Sequence, residues 1–302
     1  MGIYESLWHT QINMVEHQEA KRQRWKDSFN AVQNKIWQDP ILPAKLYHYS
    51  NLAAVKSILS SREMWLTNIR YAKGDADDGC YWINVFRPII NRKSVPDPVK
   101  RLFYGEFVFG LGTLWHEFIA CFSPEPELEE QWKNYADDGR GCAIELSFDS
   151  LHANCDGGKA YAWMPMLYDP AEQVAKAEKT IDAAIMLARK EGISRQDRDT
   201  YWQEYACYGF LHCGLRFKHP RFSTEKEWRV FRSALDLSGA RFRQTANGRI
   251  PYLPWPLPPE LVTGVIKGPA CPSSDEELAE LLASGGFATH VRTHLPATSA
   301  VV

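Results

Sequence analysis

The sequence FKHPRFSTEKEWRVF, residues 217–231, carries two carboxylates one residue apart at the start of a predicted strand. Because successive side chains of a strand point to opposite faces, Glu225, Glu227 and Arg229 are expected to share one face. Trp228 and Val230 would then lie on the opposite face and pack into the interior. The basic residues around the two carboxylates favour the charged form of both near neutral pH. We therefore expect one face of this strand to carry chemistry and the other to pack.

The composition is typical of a globular protein without a strong overall charge. The chain has 302 residues, of which 45% are hydrophobic and eleven are tryptophans, and this predicts an aromatic-rich interior or cleft. The 35 basic and 37 acidic residues give a formal net charge of -2. No global field would therefore attract nucleic acid or an anionic membrane, although a local basic groove stays possible.

The cysteines and the N-terminus predict a cytoplasmic location. The seven cysteines are widely spaced and form no CxxC pair, which favours reduced thiols over a disulfide framework. The first residues, MGIYESLWHTQINMVEHQ, lack the continuous apolar run of a signal peptide, and no stretch approaches the length of a membrane span. We therefore expect no membrane partner. Export by a route without a signal peptide stays open.

Most of the chain is expected to form one α+β domain over residues 41–302. Short β-prone segments bounded by turn residues predict a central antiparallel or split sheet. Apolar residues at helical spacing predict an N-terminal helical arm over residues 1–40, which prolines end. A charge-rich helical segment near residues 170–216 is interpreted as an insertion between strands. Ser274 is expected to cap a late helix whose first turn is acidic.

Two early strands carry side chains that are candidates for a binding site. The segment LYHYS predicts a buried strand that directs His48 and Tyr49 to opposite faces. Asn51 is a good N-cap for the helix that follows. The segment EMWLTN predicts a second strand in which Trp65 and Thr67 share a face. These residues form a compact strand, helix and strand unit.

Common cofactor and metal motifs are absent from the sequence. It contains no GxGxxG or P-loop pattern for nucleotide phosphates, no GxSxG elbow of serine hydrolases and no HExxH motif of zinc proteases. Cys207, His212 and Cys213 lie close together, but their spacing fits no common zinc module, so a helical core is preferred. No metal site is predicted.

The segment EQWKNYADDGRG predicts a short helix followed by a glycine turn. At helical spacing Trp132 and Tyr135 are neighbours on one face, and Gln131 lies beside them. The two aromatic residues could anchor the core or close over a substrate cleft. The anchor is preferred because aromatic stripes usually pack.

Six segments together resemble a bacterial family of unknown function, domain-of-unknown-function family twenty-nine seventy-one. The segments are LYHYS, MWLTN, IACFS, QWKNYADDGRGCAIEL, FKHPRFSTEKEWR and GVIKGPACP, and they extend over nearly the whole chain. Their order resembles that of the ADP-ribosyltransferase fold, in which a His or Arg strand, a Ser/Thr or Tyr strand and a Glu strand converge on NAD. The resemblance thus implies NAD as a co-substrate.

The same resemblance implies a role for each matching residue. His48 would bond the adenosine ribose of NAD, and Trp65 and Thr67 would lie beside the nicotinamide. Glu227 would be the catalytic carboxylate, since a fixed carboxylate stabilises the positive charge that builds on the ribose as the nicotinamide leaves. Glu225 would orient or deprotonate the acceptor. The chain departs from the pattern in having no clear S-T-S triplet.

Aromatic and guanidinium groups are available for the rest of NAD. Trp65 or Tyr49 would pack against the nicotinamide ring. Arg70, Arg221 or Arg229 would hold the pyrophosphate by forked hydrogen bonds. The expected activity is that of an ADP-ribosyltransferase or NAD glycohydrolase. It would act on a protein or nucleic-acid acceptor that the sequence does not name, as toxins, effectors or phage-defence components do.

Three alternatives stay open. The carboxylates could be structural, paired with Arg221 and Arg229 at a solvated strand edge, since structural ion pairs imitate active sites. The chain could be a non-catalytic module that binds a nucleotide or nucleic acid. It could also be a hydrolase or nuclease that uses Glu225, Glu227 and His48, with or without Mg²⁺.

Overall fold

The computed structural model describes residues 2–37, 43–71, 81–93, 95, 97, 100, 116–147, 162–190, 193–194, 197, 201–234, 236–245 and 248–294. The chain divides into two compact units. The helical unit comprises Met1–Asp39, Cys80–Phe109 and Asp169–Phe217, and the sheet unit comprises Pro40–Gly79, Gly110–Tyr168 and Lys218–Val302. The helices predicted near the N-terminus and near residues 170–216 both belong to the helical unit.

Helices and short strands follow one another along the whole described chain. In chain order they are α1 (Gly2–Ile36), β1 (Lys45–Ser50), α2 (Leu52–Ser61), β2 (Glu63–Asn68), a 3-10 turn (Ile69–Tyr71), α3 (Tyr81–Arg92), β3 (His116–Phe122), α4 (Glu129–Asn134), β4 (Cys142–Ser147), β5 (Ala162–Pro165), α5 (Pro170–Lys190), a π-helix (Tyr201–Ala206), α6 (Cys207–Gly214), a 3-10 helix (Pro220–Glu225), β6 (Trp228–Ala234), β7 (Arg241–Thr245), β8 (Gly248–Pro256), β9 (Val262–Lys267), α7 (Asp275–Ser284) and β10 (Val291–Thr293).

The described part of the apolar stripe of α1 packs inside the helical unit. Trp25 and Phe29 are buried, and the ring of Trp25 meets that of Tyr201 edge-on with centroids 5.7 Å apart. At Gly209 on α6 the two helices approach closely, because a Cβ there would lie 1.9 Å from the ring of Phe29. Both cysteines of α6 are buried in this unit, as expected for a helical core.

The strands of the sheet unit form two sheets. Sheet A has the order β1-β4-β9-β10, in which β9 and β10 are parallel and the other pairs antiparallel. Sheet B has the order β5-β6-β3-β2-β8-β7 and is antiparallel throughout. The two sheets meet where Tyr47 of β1 and Ser123 exchange backbone hydrogen bonds of 2.8 and 2.9 Å. This arrangement confirms the α+β class.

One hydrophobic core joins both sheets to α2 and α7. It includes Leu46 from β1, Phe122 from β3 and Leu282 from α7, none of them more than 3% exposed. Trp228 and Val230 of β6 also belong to this core, which confirms the face predicted for them. The apolar side chains therefore bring β1 and β6, from different sheets, against one interior.

Both predicted N-caps are present in the sheet unit. The side-chain oxygen of Asn51 accepts a hydrogen bond of 2.9 Å from the backbone N–H of Ala54 at the start of α2. The hydroxyl of Ser274 accepts one of 3.1 Å from Glu277 at the start of α7. Each cap satisfies an N–H group that has no partner within the helix.

The strand that follows the acidic pair begins later than predicted. A 3-10 helix spans Pro220–Glu225, the next residue has a left-handed backbone with φ 46°, and β6 begins only at Trp228. The prediction that Glu225 and Glu227 lie on one strand face is therefore wrong. The proline favours a helical turn, and the ring nitrogen of His219 caps that turn by accepting a backbone N–H two residues later.

Candidate functional site

A pocket lies in the sheet unit where sheets A and B meet. Its volume is about 340 Å³, including solvent at its mouth, and its walls come from β1, β3, the α4 region and the turn before β6. The residues that line it are Tyr47, His48, Tyr49, Cys121, Phe122, Gln131, Tyr135, Glu225 and Glu227. Four of the predicted site residues, His48, Tyr49, Glu225 and Glu227, therefore lie around one space.

His48 is held at the edge between the two sheets. Its Nδ1 lies 2.9 Å from the carbonyl oxygen of Cys121 on β3. Because a carbonyl oxygen only accepts, Nδ1 carries the proton and donates, which leaves Nε2 as the acceptor of the ring. Burial lowers the pKa of His48, although the bond to Cys121 opposes this shift. The imidazole is therefore neutral near pH 7 and offers a lone pair.

Lys218 bridges the two carboxylates. Its ammonium group donates to Oε2 of Glu225 and, at 2.5 Å, to Oε2 of Glu227. Arg229 donates to the other side of Glu227, from Nε to Oε1 at 2.5 Å and from Nη2 to Oε2 at 3.1 Å. All four residues are at most 5% exposed. Two carboxylates and two cations thus form a buried cluster without net charge, which we call the ion cluster.

The ion cluster keeps Glu227 ionised. Burial by itself would raise the pKa of this carboxyl group, but the charges of Arg229 and Lys218 lower it to about 2. A carboxyl group with this pKa does not carry a proton near neutral pH. Glu227 can therefore act as a fixed negative charge but not as a proton donor.

Further hydrogen bonds hold the backbone of the acidic turn, the residues from Glu225 to Glu227 that precede β6. The backbone N–H of Glu227 donates to the hydroxyl of Tyr168 at 2.9 Å. The carbonyl oxygen of Glu227 accepts from the backbone N–H of Met166 at the same distance. The side-chain amide of Gln131 donates to the carbonyl oxygen of Glu225 at 3.3 Å. Hydrogen bonds to the segment after β5 and to α4 therefore position the backbone of both glutamates.

Two tyrosine hydroxyls at the pocket act as donors. Tyr135 donates to Oε1 of Glu225 at 3.1 Å, and Tyr49 donates to the carbonyl oxygen of Glu125 at 2.7 Å. Burial raises the pKa of both hydroxyls, and the charge of Glu225 raises that of Tyr135 further. Both hydroxyls stay protonated near neutral pH. The hydroxyl of Tyr135 can therefore donate its hydrogen bond either to Glu225 or to a bound molecule.

Five predicted binding residues, Trp65, Thr67, Arg70, Arg221 and Arg229, are not among those that line this pocket. Arg229 pairs with Glu227 in the ion cluster, and the guanidinium of Arg221 lies over the ring of Phe222. Trp65 on β2 is 38% exposed and stacks on Tyr252, with ring centroids 4.3 Å apart. The hydroxyl of Thr67 accepts a hydrogen bond of 3.4 Å from Arg243. Arg70 lies in the 3-10 turn after β2. The structure thus separates the predicted second-strand residues from the lining of the pocket.

Several residues of the site were not assigned to it from the sequence. In the sequence Lys218 is one of several basic residues near the two carboxylates, and no motif distinguishes Tyr168. Tyr135 and Gln131 were assigned to a core anchor beside Trp132. Trp132 is indeed buried in a cluster with Tyr49, and Tyr135 packs against that cluster. Tyr135 and Gln131 also bond Glu225, which the anchor prediction did not include. Their helical spacing located them on one face but did not show what that face meets.

The described part of the chain also bears on membrane spans, metal sites and disulfide bonds. No helix in the described part is long and apolar enough to cross a membrane. Among the described residues, no group of His, Cys, Asp and Glu side chains could hold a metal ion. Five cysteines are described, and each is a free thiol.

Comparison with known proteins identifies one family. Residues 131–230 match the family described as "Protein of unknown function (DUF2971)". The matched segment begins at Gln131 and ends at Val230, so it includes the whole ion cluster, whereas His48 and Tyr49 lie before it. No curated protein and no solved structure matches the chain.

Proposed function

We propose that residues 131–230, which match the model of the DUF2971 family, form with β1 a pocket that binds NAD and supports ADP-ribosyl transfer. The main support for this proposal is that His48 of sheet A and Glu227, which directly precedes strand β6 of sheet B, line the same pocket. A neutral imidazole and an ionised carboxylate are suited to bind ribose hydroxyls. The acceptor would be a protein or a nucleic acid.

The state of Glu227 supports an electrostatic role. As the nicotinamide–ribose bond breaks, its electron pair goes to the nicotinamide nitrogen and positive charge develops on the ribose. A carboxylate that stays ionised because its pKa is about 2 would stabilise this charge. The acceptor then forms a bond to the ribose carbon and loses a proton. Glu225, which bonds Tyr135 and Lys218, is the nearby carboxylate that could take that proton.

The pocket is small for a ligand the size of NAD. Of its volume of about 340 Å³, which includes solvent at its mouth, only about 60 Å³ can hold the centre of a water-sized sphere, whereas small-molecule sites usually measure about 300 Å³ or more. Binding of the nicotinamide ring and its ribose would therefore require side chains of the lining to move, and the rest of the dinucleotide would extend outside. The aromatic rings of Tyr49 and Tyr135 are the groups in its lining that could pack against nicotinamide.

The test is incubation of wild type and Glu227→Gln with labelled NAD and cell lysate. Free nicotinamide and label transferred to protein or nucleic acid are both measured. We expect Glu227→Gln to lose at least about a hundredfold in nicotinamide release, as when one electrostatic contact to a transition state is removed. The matched control is Glu145→Gln, since Glu145 is equally buried and ion-paired but does not line the pocket.

The contradicting result is equally specific. If neither wild type nor Glu145→Gln releases nicotinamide or transfers label, and NAD does not raise the melting temperature, the proposal is wrong. A chelator is added in a parallel reaction. Turnover of a phosphodiester substrate that needs a divalent metal and ignores NAD would instead indicate a nuclease.

One observation favours a second candidate, a module that binds NAD or another nucleotide without turnover. Lys218 and Arg229 neutralise the two carboxylates, which weakens the stabilisation that Glu227 can give to a developing positive charge. This candidate predicts that NAD raises the melting temperature while no nicotinamide is released. It also predicts that Glu227→Gln binds NAD about as tightly as wild type, provided that circular dichroism shows the variant to be folded.

A further inference from the structure

A second pocket lies wholly within the helical unit, and α1 and α6 form its walls. Its volume is about 760 Å³, including solvent at its mouth. Lys26, Asn30, Gln33 and Trp37 line it at intervals of three or four residues, so they occupy one face of α1 and the residue after it. Arg216, just after α6, lines the other side. None of the described residues that line this pocket is acidic.

Trp37 holds two cations at the edge of this pocket. The guanidinium carbon of Arg216 lies 4.3 Å from the centre of its ring, and the ammonium nitrogen of Lys176 lies 4.9 Å from it. Lys176 also donates a hydrogen bond of 2.6 Å to the carbonyl oxygen of Ile36 at the end of α1. A guanidinium held over an aromatic ring is fixed in place and presents N–H groups along its edge. Such an edge matches the paired oxygens of a phosphate.

Two neutral side chains, those of Gln33 and His212, also line this pocket. The side-chain nitrogen of Gln33 is buried and has no hydrogen-bond partner among the described residues. A buried N–H group without a partner costs free energy, which a bound acceptor would recover. Burial, together with the charge of Arg216, lowers the pKa of His212 to about 4, so this ring is neutral near pH 7. The positive charge of the lining therefore comes from Lys26 and Arg216.

We propose that this pocket binds a phosphorylated small molecule. Two cations, amide groups and a lining that has no carboxylate among its described residues are the features that recognise a phosphate dianion. The part of the pocket that can hold the centre of a water-sized sphere, about 290 Å³, exceeds the volume of a phosphate group, so the ligand carries an organic part such as a sugar or nucleoside. The site uses no residue of the ion cluster and does not depend on the function proposed for it.

The experiment is calorimetric titration of the full chain with AMP, ribose 5-phosphate and adenosine. We expect both phosphates to bind and adenosine not to bind. Arg216→Gln and Lys26→Gln should each weaken the binding of ribose 5-phosphate by about tenfold or more, since each removes a charged hydrogen-bond donor. Lys35→Gln is the matched control. Lys35 is an exposed cation of α1 that does not line the pocket, and its removal should leave affinity unchanged.

Three results would overturn the proposal. They are adenosine binding as tightly as AMP, equal affinity of wild type and both pocket variants for ribose 5-phosphate, and no binding of either phosphate. Lys26 is exposed, so its substitution should spare the fold even if Arg216→Gln does not fold. The Lys26 variant therefore keeps the test decisive.

Discussion

Replacing Lys218 by methionine would leave the ion cluster with an unbalanced negative charge. The side chain of Lys218 is only 6% exposed and donates to both glutamates. After the substitution Glu227 would keep its two hydrogen bonds from Arg229, whereas the carboxylate of Glu225 would keep the bond from Tyr135. Breaking a buried pair in this way typically costs about 3–5 kcal/mol. We expect a loss of that size in the free energy of unfolding near neutral pH.

The loss should become smaller as the pH falls. In the variant two buried carboxylates would share one cation, so uptake of a proton by the cluster in acid would restore its neutral balance. In wild type the pKa of Glu227 is lowered to about 2, so its contribution to stability is complete above about pH 4.5 and is lost as the pH falls towards 2. Both effects reduce the difference between the unfolding free energies of wild type and Lys218→Met in acid.

Urea unfolding followed by tryptophan fluorescence, at pH values of about 7.5, about 5 and about 3, measures both effects. The control is Lys45→Met. Lys45 also pairs with a buried carboxylate, that of Glu145, but it is 49% exposed and Glu145 keeps Arg292 at 3.1 Å. This control should lose at most about 1 kcal/mol. If Lys218→Met loses no more than Lys45→Met near neutral pH, the ion cluster does not stabilise the fold as argued here.

Two further predictions concern the rest of the fold. Burial raises the pKa of Glu117 to about 7, despite hydrogen bonds from Ser233, so ionisation of Glu117 should destabilise wild type as the pH rises from about 4.5 to 7. Glu117→Gln should therefore gain about 3 kcal/mol relative to wild type between pH values of about 5 and 8, and parallel urea curves would contradict this. Gly209→Ala should lose about 1–3 kcal/mol because its Cβ would overlap Phe29, whereas Gly239→Ala, with no atom within 4 Å, should melt like wild type.

Much of the local structure could be predicted from the sequence. Alternation placed Trp228 and Val230 in the core, and residue type placed caps at Asn51 and Ser274. Such features depend on residues within a few positions of one another, so a periodicity or a capping side chain is sufficient evidence. The start of β6 was misplaced because the turn that begins at Pro220 overrides the alternation.

The tertiary structure alone decided which distant side chains meet. His48 bonds a carbonyl oxygen 73 residues away, at the place where sheet A meets sheet B. Lys218, rather than a neighbouring arginine, joins Glu225 to Glu227. The sequence by itself determined the strand after Glu227 and the buried face of that strand, but it did not reveal the turn that holds Glu225. Long-range packing determined the ion partners and the pocket, because burial strengthens a charge pair only where the fold excludes water from it.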